Sequence, residues 1–167
     1  ANTAPMWNNL YACIANANNL IEVLDKLKLD PDFERRAYGE AYFIRAFSYY
    51  YLVRLYGGVP LRTKAIHIDS DFYIPRTTMD ETYAQLIADF KLASERLPLQ
   101  SAINAAELGR ASKGAAQALL ADALLTYGNQ LSLKGQSPTV HYQDAVVYAD
   151  SVISSNQYNL LTNYGDL

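Results

Sequence analysis

From Trp7 onward the apolar positions recur at helical spacing. Trp7, Tyr11, Ile14 and Ile21 form a stripe flanked by Leu10, Ala17 and Leu24. That 3.6-residue period predicts a first helix over Met6 to Lys28. Asn18 sits on the same stripe, where an unpartnered amide costs about 1 to 3 kcal/mol. It is therefore expected to tie this helix to a neighbouring backbone. Asp30 followed by Pro31 reads as a cap and first turn, since proline at the first helical position loses no hydrogen bond. The second helix then runs to about Tyr56. Its apolar residues keep to no single stripe: Ala41, Ile44, Phe47 and Tyr51 lie to one side, while Tyr42, Tyr49, Val53 and Tyr56 spread toward the other. A helix patterned in this way is buried on more than one face.

Gly57-Gly58-Val59-Pro60 ends that helix, and Leu61 to Arg76 shows no helical period. This is the longest loop in the chain, and long loops in compact domains often carry function. Thr78 with Glu81 reads as a capping box. It opens a third helix with Tyr83, Leu86, Ile87, Phe90, Ala93 and Leu97 on one face, closed by Pro98. A polar connector leads through Gly109 to Ser112, which caps a fourth, alanine-rich helix expected to stop at Gly128-Asn129. A fifth begins after Pro138 with Tyr142, Ala145, Val146, Ala149, Val152 and Ile153. Residues from Tyr158 to Leu167 read as loop. The pattern predicts an all-α chain of antiparallel helix pairs, the second with the third and the fourth with the fifth. Phe90, Ala93 and Pro98 match the spacing of large, small and proline positions in a tetratricopeptide second helix.

Composition narrows the partners. The 167 residues carry a net charge of −3 from well-mixed acids and bases, so no basic stripe can follow a phosphate backbone, and nucleic acid is not an expected partner. Charged residues interrupt every apolar run before it reaches the roughly 20 residues that span a bilayer. Cys13 excludes an internal disulfide and is expected to pack as a small core residue. The 14 tyrosines suit helix interfaces and shallow sugar-binding faces alike.

Catalytic signals are sparse. His67 and His141 lack partners at metal-ligand spacing, no glycine-rich phosphate loop is present, and no cofactor is called for. Glycoside hydrolysis needs two facing carboxylates. Asp122, set among alanine and leucine, is a lone candidate. Arg45 and Arg54 in the tyrosine-rich helix are expected to pair with an acid such as Glu40 or Glu22 and to stack on tyrosine rings. Trp7 could serve as a sugar platform, but its place at the start of an apolar stripe points to core packing. Phe72 and Tyr73 beside Asp69 and Asp71 form the more accessible candidate surface, because flat rings cover the C–H faces of sugars while carboxylates take the hydroxyls. Asp69, Asp71, Phe72 and Tyr73 are thus the candidate ligand-binding residues.

Several stretches together resemble one family. The run from Gly39 to Leu61, GEAYFIRAFSYYYLVRLYGGVPL, strongly resembles the hallmark segment of SusD/RagB nutrient-binding lipoproteins. Trp7 to Ile21, Pro75 to Pro98, Gly109 to Ala116 and Tyr158 to Tyr164 are similar to family segments in the same order. The resemblance implies a SusD-like α-α fold and a surface lipoprotein of the outer membrane of a Gram-negative bacterium. It further implies non-catalytic capture of glycan or similar nutrient for a SusC-like TonB-dependent porin. Membrane contact would come only through a lipid anchor outside this segment, since Cys13 lies within a helix. Members of the family are much longer, so residues 1–167 are expected to be one helical segment of a larger protein. The residues themselves leave two other readings open, a tetratricopeptide-type adaptor and a helical glycosidase.

Overall fold

A computed structural model describes residues 4–159 and residue 163. Among these residues it holds five α-helices, two short 3-10 turns and no strand. They gather into two compact units, Ala1–Leu97 and Pro98–Leu167.

In the first unit, α1 spans Ala4–Leu24, α2 Pro31–Tyr56 and α3 Met79–Arg96. The predicted first helix ends four residues earlier than its apolar period suggested, in a turn over Asp25 and Lys26. The side chain of Asp30 accepts from the backbone N–H groups of Asp32 and Phe33 at 3.1 and 3.0 Å, so the predicted cap starts α2. Contacts between α1 and α2 pair Trp7 with Tyr56, Asn18 with Arg45 and Asp25 with Tyr38, which makes the helices antiparallel. Between α2 and α3, Phe43 meets Phe90 while Arg35 donates to the Arg96 carbonyl, again antiparallel. α2 is therefore the middle helix, and its unstriped apolar pattern follows from packing on both sides.

The core of this unit is built from Ile14, Ala17, Tyr49, Leu52, Val53, Leu86 and Phe90, all essentially buried. Full burial of each large side chain contributes roughly 1.5 to 3 kcal/mol. Phe90 and Ala93, the residues at tetratricopeptide spacing, are both wholly buried. The capping box at Thr78 is complete. Glu81 N–H donates to Thr78 Oγ1 at 3.1 Å, and Thr78 N–H donates to the Glu81 carboxylate at 2.8 Å. Cys13, expected in the core, is exposed. It lies at the edge of the buried stripe of α1, one turn before Ala17, where the helix face turns toward solvent.

In the second unit, α4 spans Lys113–Leu133 and α5 Thr139–Ser154. Ser112 caps α4 as predicted, accepting from Ala115 N–H at 3.2 Å. α4 does not stop at Gly128-Asn129. Gly128 lies inside the helix because Tyr142 of α5 rests on it: a Cβ there would stand 2.5 Å from the Tyr142 ring. The Tyr142 hydroxyl then donates to Asn129 Oδ1 at 2.8 Å. At the other end Gly114 receives the Tyr158 ring in the same way. The small residues thus set how closely the pair approaches. Most of the tail expected to be loop, residues 160–162 and 164–167, lies outside the described residues.

Candidate functional site

The candidate site is the long segment between α2 and α3, and its shape starts at its neck. Gly57 closes α2 with φ +73°, a conformation glycine adopts cheaply. Beside it, a Cβ on Gly58 would lie 2.0 Å from the Thr77 carbonyl oxygen, so only glycine allows this approach. Thr77 donates to the Val59 carbonyl from both its N–H, at 3.2 Å, and its hydroxyl, at 2.7 Å. Arg76 donates to the carbonyls of Gly58 and Tyr56 at the end of α2, where the helix dipole favours a cation. The two ends of the loop are held together.

The first half of the loop is pinned to the core by a buried polar network. Arg45 and Asp89 form a two-bond ion pair, Nε to Oδ2 at 2.8 Å and Nη2 to Oδ1 at 2.7 Å. Their side chains are 7% and 1% exposed. The guanidinium uses its third arm on the Asn18 side-chain oxygen at 2.8 Å and the Thr63 carbonyl at 3.0 Å. Asn18 in turn donates to the carbonyls of Arg62 and Lys64 at 3.0 and 3.1 Å. The expected tie from α1 to backbone is present, and its target is the loop. The expected acid partners of Arg45, Glu22 and Glu40, are replaced by Asp89. The predicted stacking holds, with Arg45 over the Tyr42 ring and Arg54 over Tyr50.

Two tyrosines complete the strap. Tyr49 donates to the Arg62 carbonyl and accepts from the Arg62 N–H, and Tyr11 donates to the Pro60 carbonyl at 2.8 Å. Burial pushes the Tyr49 hydroxyl up to about 12 and raises that of Tyr11 as well, so both stay protonated donors across ordinary pH. For Arg45, burial works against the charge, but the hydrogen bonds and charge of Asp89 more than offset it, and the net direction is up.

The second half of the loop is exposed and borders three shallow concavities. The largest, about 460 Å³, opens between α1 and the loop, with Asn18, Glu22, Lys64, His67 and Asp69 on its walls. His67 Nε2 meets Glu22 Oε2 at 2.8 Å, and Lys26 also donates to Glu22. These bonds, that from Lys26 first, hold the Glu22 carboxyl below its ordinary range. A second, about 250 Å³, includes Arg62, Ser70, Asp71 and Ile74. The third, about 210 Å³, is lined by Trp7, Tyr11, Pro60, Arg62, Phe72 and Ile74. Trp7 is tilted against Tyr11 and edge-on to Tyr56, each at 4.9 Å between ring centres.

The four sequence candidates do not share one face. Asp69 borders the largest concavity. Asp71 turns its carboxylate back to accept from Tyr73 N–H at 2.8 Å. Phe72, 56% exposed, belongs to the aromatic concavity, while Tyr73, 93% exposed, lines none of the three. Trp7, expected in the core, is half-buried at the rim of the aromatic concavity. Sequence reading missed Tyr11 and Arg62 as wall residues. Only the placement of Arg62 just past the proline that starts the loop could have suggested it. Asp122 is half-buried on α4, and His141 packs against Tyr127. Among the described residues no three acids, histidines or cysteines are grouped to hold a metal, and no helix is long and apolar enough to cross a membrane.

Antiparallel helix pairs presenting a pinned loop with exposed rings, and no grouped metal-binding side chains among the described residues, define a helical binding scaffold. The chain belongs to the SusD-like family: residues 1–125 match a family described as starch-binding and associating with the outer membrane. Two SusD-like proteins of Formosa agariphila are similar to it. One is 36% identical over 126 residues, covering 74% of this chain and 24% of the relative. The other is 30% identical over 163 residues, covering 94% and 27%. The chain thus spans about a quarter of the length of these relatives. Among solved structures, a SusD superfamily protein of Parabacteroides distasonis superposes with a TM-score of 0.84 at 33% identity, covering 97% of this chain and 33% of that one. A laminarin-binding SusD-like protein superposes with a TM-score of 0.81 at 26% identity, covering 96% and 33%.

Proposed function

We propose that this chain is the helical part of a non-catalytic, cell-surface lipoprotein that captures oligo- or polysaccharide and delivers it to a SusC-like TonB-dependent porin. Its membrane contact is a lipid anchor outside this segment, on the outer membrane of a Gram-negative bacterium. The observation that carries the reading is the family match over residues 1–125, which includes α1 to α3 and the whole pinned loop. The laminarin-binding relative of the same fold supports glycan as the ligand class. The loop supports it as well, because Arg62 holds the Asp71 and Phe72 carbonyls while the Phe72 and Tyr73 rings stand exposed to solvent. In this reading Asp69, Asp71 and Phe72 contribute contacts from more than one concavity and Tyr73 from the open surface, while the buried Arg45 network anchors the neighbouring backbone of residues 62–64.

Affinity electrophoresis of the intact protein through gels containing laminarin, starch, xyloglucan and acidic polysaccharides tests the capture step. Retardation by at least one polymer is expected, together with a TonB-dependent porin retained when the protein is purified from detergent-solubilised outer membranes. Free migration through every gel, with no porin retained, contradicts the proposal.

A further inference from the structure

The aromatic concavity differs from its neighbours in charge. The large concavity beside α1 carries the acids Glu22, Asp25 and Asp69 alongside Lys64 and His67. The one lined by Trp7, Tyr11 and Phe72 has no carboxylate on its wall, and its single charged lining residue is Arg62. The Arg62 guanidinium donates to the carbonyls of Asp71 and Phe72, at 3.0 and 2.6 Å, and these bonds hold it in place without neutralising it. Arg76 is likewise spent on carbonyls, those of Gly58 and Tyr56. The nearest loop acid, Asp71, accepts from its own turn at Tyr73 N–H. A guanidinium has five N–H donors, so Arg62 keeps donors beyond the two used on the loop.

Resting on the capture reading above, we infer that this concavity is a subsite for an acidic sugar unit, a hexuronate or a sulfated hexose. The sugar's C–H face lies on Trp7 and Phe72, and its carboxylate or sulfate is met by Arg62. The rings give a platform for any pyranose, since stacking needs only an apolar face. Arg62 supplies selectivity, because a planar fork suits a carboxylate or sulfate and gains little from a neutral hydroxyl. The bonds to the Asp71 and Phe72 carbonyls hold the guanidinium before the ligand arrives, which lowers the cost of ordering it.

The intact protein, titrated calorimetrically with polygalacturonate and its full methyl ester, and with κ-carrageenan oligosaccharides and their desulfated form, tests this. At least one acidic polymer should bind about tenfold or more tighter than its neutral counterpart, the scale of one charge-assisted contact. That preference should shrink as salt rises. Phe72→Ala, at an exposed position, should leave the unfolding temperature unchanged and weaken acidic-polymer binding about tenfold. Arg62→Gln should remove the acid preference, and Arg62→Lys should restore part of it. Equal binding of each acidic polymer and its neutral partner overturns the inference while leaving glycan capture standing. So does acidic binding that survives both Phe72→Ala and Arg62→Gln. Failure to bind any glycan overturns both readings.

Discussion

Replacing Arg45 with methionine removes the centre of the network that joins three helices to the loop. The substitution keeps most of the side-chain volume, so packing changes little. It leaves the Asp89 carboxylate, 1% exposed, without a counter-charge, and deprives the Asn18 oxygen and the Thr63 carbonyl of their donor. Breaking one side of a buried ion pair costs about 3 to 5 kcal/mol, and at this burial solvent screens little of it. For a chain of this size each kcal/mol lowers the melting temperature by about 2 to 4 °C, so a fall of about 6 to 20 °C is expected. The double variant Arg45→Met/Asp89→Leu removes the stranded charge and should recover most of the loss. Even then the Thr63 carbonyl lacks its donor, so amides near the strap, residues 61–64, should exchange faster than in the parent protein. Denaturant titrations of the two single variants and the double give the coupling energy, and hydrogen exchange gives the state of the strap. A single-variant loss below about 1 kcal/mol, or additive losses in the double, would refute the view that this pair organises the site.

Gly128→Ala should destabilise the second unit by about 1 to 3 kcal/mol despite alanine's better helix propensity, because its Cβ displaces the Tyr142 ring and strains the bond to Asn129. A raised melting temperature would show that the close approach is not obligatory. Glu81 has its carboxyl lowered from 4.5, first by the Thr78 backbone N–H and then by the Thr78 hydroxyl. Its contribution is therefore complete above that ordinary value and is lost as pH falls through the lower, folded value. Glu81→Gln should flatten this part of the acid limb of a stability-against-pH curve, and an unchanged limb would contradict the assignment. Cys13, being exposed, should react with a thiol reagent in the native chain at nearly the rate of the denatured chain, whereas protection until unfolding would restore the core expectation.

Features decided by local chemistry were legible before any coordinates. Asp30-Pro31, the Thr78–Glu81 box and Ser112 each start a helix where the sequence placed it, because a cap needs only its own next turn. Asn18 was legible as a tie because an amide on an apolar stripe must find partners. Its target was not, since the Arg62 and Lys64 carbonyls are more than 40 residues away. The same distance hid the partner of Arg45. A signal did exist: Asp89 lies between Leu86 and Phe90 on the buried face of α3, and two opposite charges on core faces of adjacent helices should find each other. Gly128 misled because glycine signals helix ends and close packing alike, and only the facing Tyr142 decides. The loop was recognised as the candidate surface, but Asp69, Asp71, Phe72 and Tyr73 part company because the strap directs successive residues to different concavities. Trp7 and Tyr11 looked like core, since a helical stripe cannot tell a packed end from a rim.

On the function proposed above, the strapped loop between α2 and α3 is the working surface of this SusD-like scaffold. Hydrogen–deuterium exchange of the intact protein, with and without a saturating polysaccharide that it binds, tests that claim most directly. Ligand should slow exchange in peptides covering Arg62 to Ile74 and the start of α1 around Trp7 to Tyr11. Exchange unchanged across both segments, with protection confined to other parts of the protein, would contradict it.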